Sequence, residues 1–164
     1  PYFLRYSDFA AFLTQHGYIV CGNDHLGHGD SVKNDDYLGY FAPNNGWKYL
    51  VQDVHRLTLK MKAKYPNIPL ILMGHSMGSF IAREFAAAYG NSLTAVVFMG
   101  TSAGISTAMW KAERTYLNML KKAKGARAKI PSLEKIATGP YNKKFKPNRT
   151  NYDWVTRQIG RAHV

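Results

Sequence analysis

A chain of 164 residues, 46% hydrophobic and 13% aromatic, is long enough to bury one core and too apolar to be disordered. Its formal charge of +12 belongs to one stretch, because residues 105–150 hold 12 Lys/Arg against 2 Asp/Glu while residues 1–104 hold 8 against 7. No recognition fold or regular aromatic spacing accompanies that charge, which argues against nucleic acid as a partner. No apolar run reaches the roughly 20 residues of a membrane span, and no signal-peptide pattern opens the chain, which begins at Pro1 rather than methionine; a cytoplasmic location is the expectation.

In chain order, Ser7 is placed to cap a helix through Asp8, Phe9, Phe12 and Leu13 that stops at Gly17. Tyr18-Ile19-Val20-Cys21 then reads as a buried strand, with the single cysteine in the core. One thiol builds neither a disulfide framework nor a cysteine metal site. A long loop rich in Gly, Asp and Asn runs from Asn23 to Gly46, and Asn44 or Asn45 caps a second helix. Its Trp47, Leu50, Val51, Val54, Leu57, Met61 and Tyr65 share one face, and Pro66 and Pro69 end it.

Next comes an apolar strand, Ile68 to Met73, running into Gly74-His75-Ser76-Met77-Gly78. A helix from Gly78 to Tyr89, closed by Gly90, and a strand Ala95–Met99 follow. Helices alternating with continuously apolar strands predict an α/β fold, a parallel sheet covered on both faces. Ligands on such sheets bind beyond the carboxyl ends of the strands, where Ser76 falls. Glycines two before and two after a serine suit a sharp strand-to-helix turn that pushes the hydroxyl out above the sheet, side chains at either position colliding with backbone.

After Gly104 the pattern changes. Met109, Ala112, Tyr116, Leu117, Leu120 and Ala123 fit one helical face and Lys111, Arg114, Lys121 and Lys122 the other, a basic amphipathic helix. Its apolar face suits a lid over the site. Its basic face suits contact with an anionic membrane surface as well. From Gly125 to Pro147 the sequence is irregular and basic, an insertion rather than another strand-helix unit.

Three segments carry a resemblance: His16-Gly17-Tyr18, then Asn23-Asp24-His25-Leu26-Gly27-His28-Gly29-Asp30-Ser31, then Gly74-His75-Ser76-Met77-Gly78-Ser79. In this order and at these gaps the chain resembles the α/β-hydrolase superfamily. Within it, the chain is similar to the serine aminopeptidase-type group that includes monoacylglycerol lipases and lysophospholipases. The match runs from about Arg5 to Gly104 and continues more loosely through Asn148–Trp154, similar to the end of that group's cap insertion. It implies an incomplete α/β-hydrolase core over 1–104, a basic helical cap over 105–150, and a return toward the core over 151–164. It further implies Ser76 as nucleophile of a Ser-His-Asp triad and the Met77 backbone N–H as half of the oxyanion hole. The substrate is then a small-molecule acyl ester or lipid, with no cofactor.

The resemblance places the second oxyanion donor upstream of Pro1 and the triad acid and base at the ends of later strands, so the fragment alone is expected to be inactive and its sheet to end in unpaired edges. Asp153 and His163 come in the right order, but no strand lifts them to the sheet edge. The tail Ile159-Gly160-Arg161-Ala162-His163-Val164 is moreover encodable as the start of a common sequencing adapter, an expectation the nucleotide sequence checks directly. His75 adjoins Ser76 along the chain and reads as structural rather than as the base. His25 and His28 have the spacing of a metal pair, yet between glycines and beside Asp24 and Asp30 they read as loop-ordering groups, with no metal expected. Three functions fit the sequence: an ester hydrolase, a peptidase acting at chain ends, and a non-catalytic binding protein that keeps the elbow but not the triad.

Overall fold

The computed structural model describes residues 2–104, 106–128, 130, 133, 139, 141–150, 153 and 154. Two compact units result, residues 1–119 and 120–164.

The first unit opens with a 3-10 turn, Phe3–Tyr6, that leads into α1, Ser7–Gln15. Ser7 does not cap this helix as expected: its hydroxyl donates to the Leu4 carbonyl at 2.6 Å, tying the turn to the helix instead. Gly17, at φ 85°, ends the element by adopting the left-handed backbone that closes helices cheaply only for glycine. Beyond it the reading of Tyr18–Cys21 as a buried strand fails. The segment has no ladder partner among the described residues, Tyr18 and Ile19 are about half exposed, and Cys21 is exposed rather than in the core. An apolar run becomes a strand only when a neighbour takes its N–H and C=O groups.

Helix α2, Gly46–Lys64, starts after Asn45 as anticipated, although Asn45 contributes a left-handed backbone (φ 55°) and no side-chain cap. Leu50, Val51, Val54 and Thr58 form its buried face, at the three-and-four spacing of one helical stripe. Strand β1, Ile71–His75, is followed by helix α3, Met77–Tyr89. Gly90 continues into a short 3-10 turn at φ −56°, so the chain tightens there rather than reversing through a left-handed glycine. Strand β2, Ala95–Met99, lies where the sequence put it and pairs parallel with β1, Ile71 opposite Ala95 and His75 opposite Met99.

The architecture is therefore α/β, a parallel sheet with helices packed on it. Helix α3 lies against both strands and α2 against α3. Their shared core is Leu50, Val51, Val54, Ile81 and Phe85, with Leu26, Phe41, Leu72, Met77, Tyr89 and Leu93 packed around it. His55 stacks on Tyr89 with centroids 3.8 Å apart and planes 5° from parallel. On the sheet's other face Ile71, Met73, Val97 and Met99 stay substantially exposed.

Helix α4, Thr107–Lys124, has no buried residue. In the second unit, Asn142 organises a turn by donating to the Thr150 carbonyl at 2.8 Å and accepting from the Trp154 N–H at 3.2 Å, while Tyr141 packs on the Trp154 ring. No helix is long and apolar enough to cross a membrane among the described residues.

Candidate active site

Strand β1 ends at His75 and α3 begins at Met77, so Ser76 alone makes the turn between them. It does so at φ 53° and ψ −120°, a backbone state that costs a non-glycine residue on the order of 1–3 kcal/mol and persists only where neighbours enforce it. Three contacts enforce it. The Ser76 N–H donates to the Met99 carbonyl on β2 at 2.9 Å. Its carbonyl accepts from both the N–H of Ser79, at 2.9 Å, and the Ser79 hydroxyl, at 2.6 Å. Gly74, buried, lets the first turn of α3 close over the strand: a Cβ there would sit 2.6 Å from the Gly78 carbonyl carbon and 2.9 Å from Ala82 Cβ. Gly78 corrects the expectation that both glycines avoid collisions, because a Cβ at that position meets nothing within 4 Å.

Ser76 is exposed, and its hydroxyl has no hydrogen-bond partner among the described residues. The backbone N–H of Met77, first residue of α3, has no intrahelical acceptor and is a donor adjacent to that hydroxyl. Ser79 was not singled out by the sequence reading, though its place three residues after Ser76 is the spacing at which a first-turn hydroxyl reaches back to a helix-entry carbonyl. Ser79→Ala is expected to lower stability by about 1 kcal/mol, as read by urea unfolding.

Tyr6 also went unnoticed, and no local signal could have revealed it. Its hydroxyl and Nδ1 of His75 hydrogen-bond at 3.0 Å across 69 positions of sequence, with the rings edge to face at 6.3 Å. On the other side of the imidazole, Gly100 at φ 61° comes so close that a Cβ would stand 3.3 Å from His75 Cδ2. His75 is thus engaged with Tyr6 and confined by Gly100. Tyr6→Phe removes the bond at near-constant volume; His75 is expected to lose its fixed orientation, visible as changed imidazole ring chemical shifts by NMR at constant pH.

The Asn23–Ser31 loop is ordered largely by one carboxylate. Asp24 accepts from the Phe3 N–H at 2.6 Å and the Asp30 N–H at 2.8 Å, bonds that hold it below the usual carboxylate range. The Ser31 hydroxyl donates to the Asp24 carbonyl at 2.8 Å, and His28 Nδ1–H donates to the Leu26 carbonyl at 3.1 Å. His25 differs, since its Nδ1 is buried without a partner among the described residues, and burial pushes its imidazole below the usual range. A histidine that resists protonation only when folded lets the unfolded chain bind more protons, so stability falls as pH drops through the ordinary imidazole range. Asp24 adds a further loss at pH below the ordinary carboxylate range, where its folded-state bonds need the ionised form. Urea unfolding across pH should show both, and His25→Leu should flatten the first.

Asp153 lies in the second unit, its carboxylate accepting from the Arg149 N–H at 2.7 Å and the Thr150 hydroxyl at 2.6 Å, bonds that keep it readily ionised. It ties a local turn. His163 and the tail 159–164 lie outside the described residues. Among the described residues no cluster of three His, Cys, Asp or Glu side chains is arranged to hold a metal ion.

A parallel strand, a serine forced to positive φ and a helix that starts at the next residue form the strand-elbow-helix unit of an α/β-hydrolase. The pattern of the family described as serine aminopeptidase, S33, matches residues 2–161, and the chain belongs to that family. Among curated relatives, it is 35% identical over 95 residues to a monoglyceride lipase homolog of Monkeypox virus, covering 58% of this chain and 32% of that protein. It is likewise 35% identical over 83 residues to the monoglyceride lipase of Homo sapiens, covering 51% of this chain and 25% of that protein. Among solved structures, a highly thermostable carboxyl esterase from Bacillus coagulans, in complex with glycerol, superposes with a TM-score of 0.80 at 28% identity. That superposition covers 94% of this chain and 49% of the esterase. The chain therefore spans a quarter to a third of the length of these curated relatives and about half of the esterase.

Proposed function

We propose that this chain carries the nucleophile of a serine hydrolase that cleaves carboxylic esters, monoacylglycerols or lysophospholipid-like molecules, through an acyl-enzyme. The backbone of Ser76 carries the reading: an exposed hydroxyl held at a strained turn by Met99, Ser79 and Gly74 is organised for attack rather than for packing. In this mechanism the Ser76 oxygen attacks the ester carbonyl as its proton passes to a histidine base. The Met77 N–H meets the oxygen that becomes negative, a donor whose loss typically costs about 3 kcal/mol of barrier. Collapse of the tetrahedral intermediate expels the alcohol and leaves Ser76 acylated, and water reverses the sequence to release the acid.

No imidazole or carboxylate engages Ser76 among the described residues, and the relatives are longer. Base, acid and second oxyanion donor are accordingly assigned to none of the described residues, and these 164 residues are expected to turn over no ester by themselves. The apolar cap helix and the names of the relatives favour a lipid ester. Fluorophosphonate labelling of the full-length protein tests the class: no labelling that depends on Ser76 would remove it. The family description favours a second reading, a peptidase acting at chain ends. Turnover of short acyl esters against aminoacyl amides separates the two, and the ester reading expects the esters to win.

A further inference from the structure

The Ser76 carbonyl receives two donors from one residue, the Ser79 N–H at 2.9 Å and the Ser79 hydroxyl at 2.6 Å. Ser79 is fully buried, so solvent does not compete for either bond. One donor is enough to satisfy a helix-entry carbonyl, and the N–H already supplies it. What the hydroxyl adds is direction. A single hydrogen bond tolerates a broad range of angles, whereas two donors on separate atoms that converge on one oxygen hold it against rocking about either bond.

Direction matters here because of what stands at the other end of the same peptide. The C–N bond joining Ser76 to Met77 is planar and trans, so its carbonyl and its N–H point in opposite senses and turn together as one rigid unit. The carbonyl points along α3, and the Met77 N–H points back past the helix start. Other hydroxyls of the chain reach back along a helix in a similar way, Thr14 to the Ala10 carbonyl and Thr115 to the Lys111 carbonyl, both at 2.8 Å. The peptides they touch lie inside α1 and α4, where each N–H is spent on the helix ladder. At the elbow the restrained peptide instead carries an N–H with no intrahelical acceptor, adjacent to the Ser76 hydroxyl.

We propose that Ser79 is a positioning residue that aims the Met77 N–H at the oxygen that turns negative when Ser76 attacks. The inference rests on the reading of Ser76 as nucleophile and Met77 as oxyanion donor, and adds the group that fixes the donor's direction. Without the hydroxyl the peptide is held by the Ser79 N–H alone, so the donor strays from its best line and its bond weakens where charge makes it strongest, in the transition state. An uncharged substrate carbonyl gains less from the same donor, and ground-state binding feels the change little. The loss therefore falls on kcat and spares KM. The nucleophile itself stays in place, because the Ser76 N–H remains bonded to the Met99 carbonyl at 2.9 Å.

The test uses the full-length protein with a short-chain p-nitrophenyl ester as substrate and a fluorophosphonate to count reactive serines. A trifluoromethyl ketone, whose adduct with a serine carries the oxyanion, serves as transition-state mimic. Ser79→Ala is expected to lower kcat per labelled serine about tenfold at unchanged KM and to weaken the trifluoromethyl ketone by a similar factor, a fraction of what deleting a donor outright costs. Ser79→Cys nearly keeps the volume but is a weak donor, so it is expected to follow Ser79→Ala. A hydroxyl that served only the fold would instead reduce the number of serines that label and leave each remaining site with parental kcat and inhibitor affinity. That outcome overturns the proposal, as do parental values in both variants, a raised KM at unchanged kcat, or loss of the fold in both. A parent that labels at Ser76 beside unaffected variants removes the role of Ser79 and keeps the hydrolase reading, whereas a parent that does not label removes both.

Discussion

Gly74→Val is expected to lower the stability of the fold by about 3 kcal/mol or more, while Gly78→Ala, four residues along the same elbow, leaves it unchanged or raises it by up to about 1 kcal/mol. The difference lies in what each Cβ would meet. At Gly74 the first added carbon already falls 2.6 Å from the Gly78 carbonyl carbon and 2.9 Å from Ala82 Cβ. Neither neighbour is a flexible side-chain tip. One is backbone in the first turn of α3 and the other belongs to a residue 2% exposed, so relief requires α3 to slide on β1. That movement would pull Ile81 and Phe85 out of register with Leu50 and Val54, the contacts that join α3 to α2. At Gly78 the Cβ meets nothing, and the residue is already helical, where alanine is favoured over glycine. Urea unfolding of the two variants against the parent decides it: equal losses would mean that both glycines serve the same steric role.

That contrast also shows where sequence reading reaches and where it stops. The G-x-S-x-G spacing announced the turn, because a glycine-serine pattern between an apolar run and an amphipathic helix is a local signal. Strand β2 and the α2 and α3 stripes were legible for the same reason, their periodicity being set within a few residues. The misreadings concern positions whose state is decided from afar. Tyr18–Cys21 has the composition of a buried strand, yet pairing depends on a neighbouring ladder that no local pattern encodes. Ser7 has the side chain of an N-cap, but the preceding 3-10 turn offers the Leu4 carbonyl first. At the site itself, Ser76, Gly74 and Met77 stand in one short motif, whereas Tyr6 reaches His75 from 69 residues away and is visible only once the chain is folded.

Ser76→Ala is expected to abolish fluorophosphonate labelling of the full-length protein and to lower ester turnover by roughly four to six orders of magnitude, with little change in folding. The size follows from the route: without the oxygen nucleophile no acyl-enzyme forms, and what remains is whatever water attack the oxyanion donors still assist. Folding is spared because the hydroxyl makes no hydrogen bond among the described residues, whereas the contacts that hold the turn all belong to the Ser76 backbone. Alanine keeps that backbone and carries a Cβ like serine, so it inherits the same strain at φ 53°. Ser76→Gly then becomes informative, since glycine occupies positive φ freely and should be both inactive and more stable than Ser76→Ala. Unfolding midpoints and labelling measured on the same pair separate the two parts of the reading. Loss of labelling without the stability difference would leave the nucleophile in place and remove the strained turn, and retained labelling in Ser76→Ala would remove the nucleophile itself.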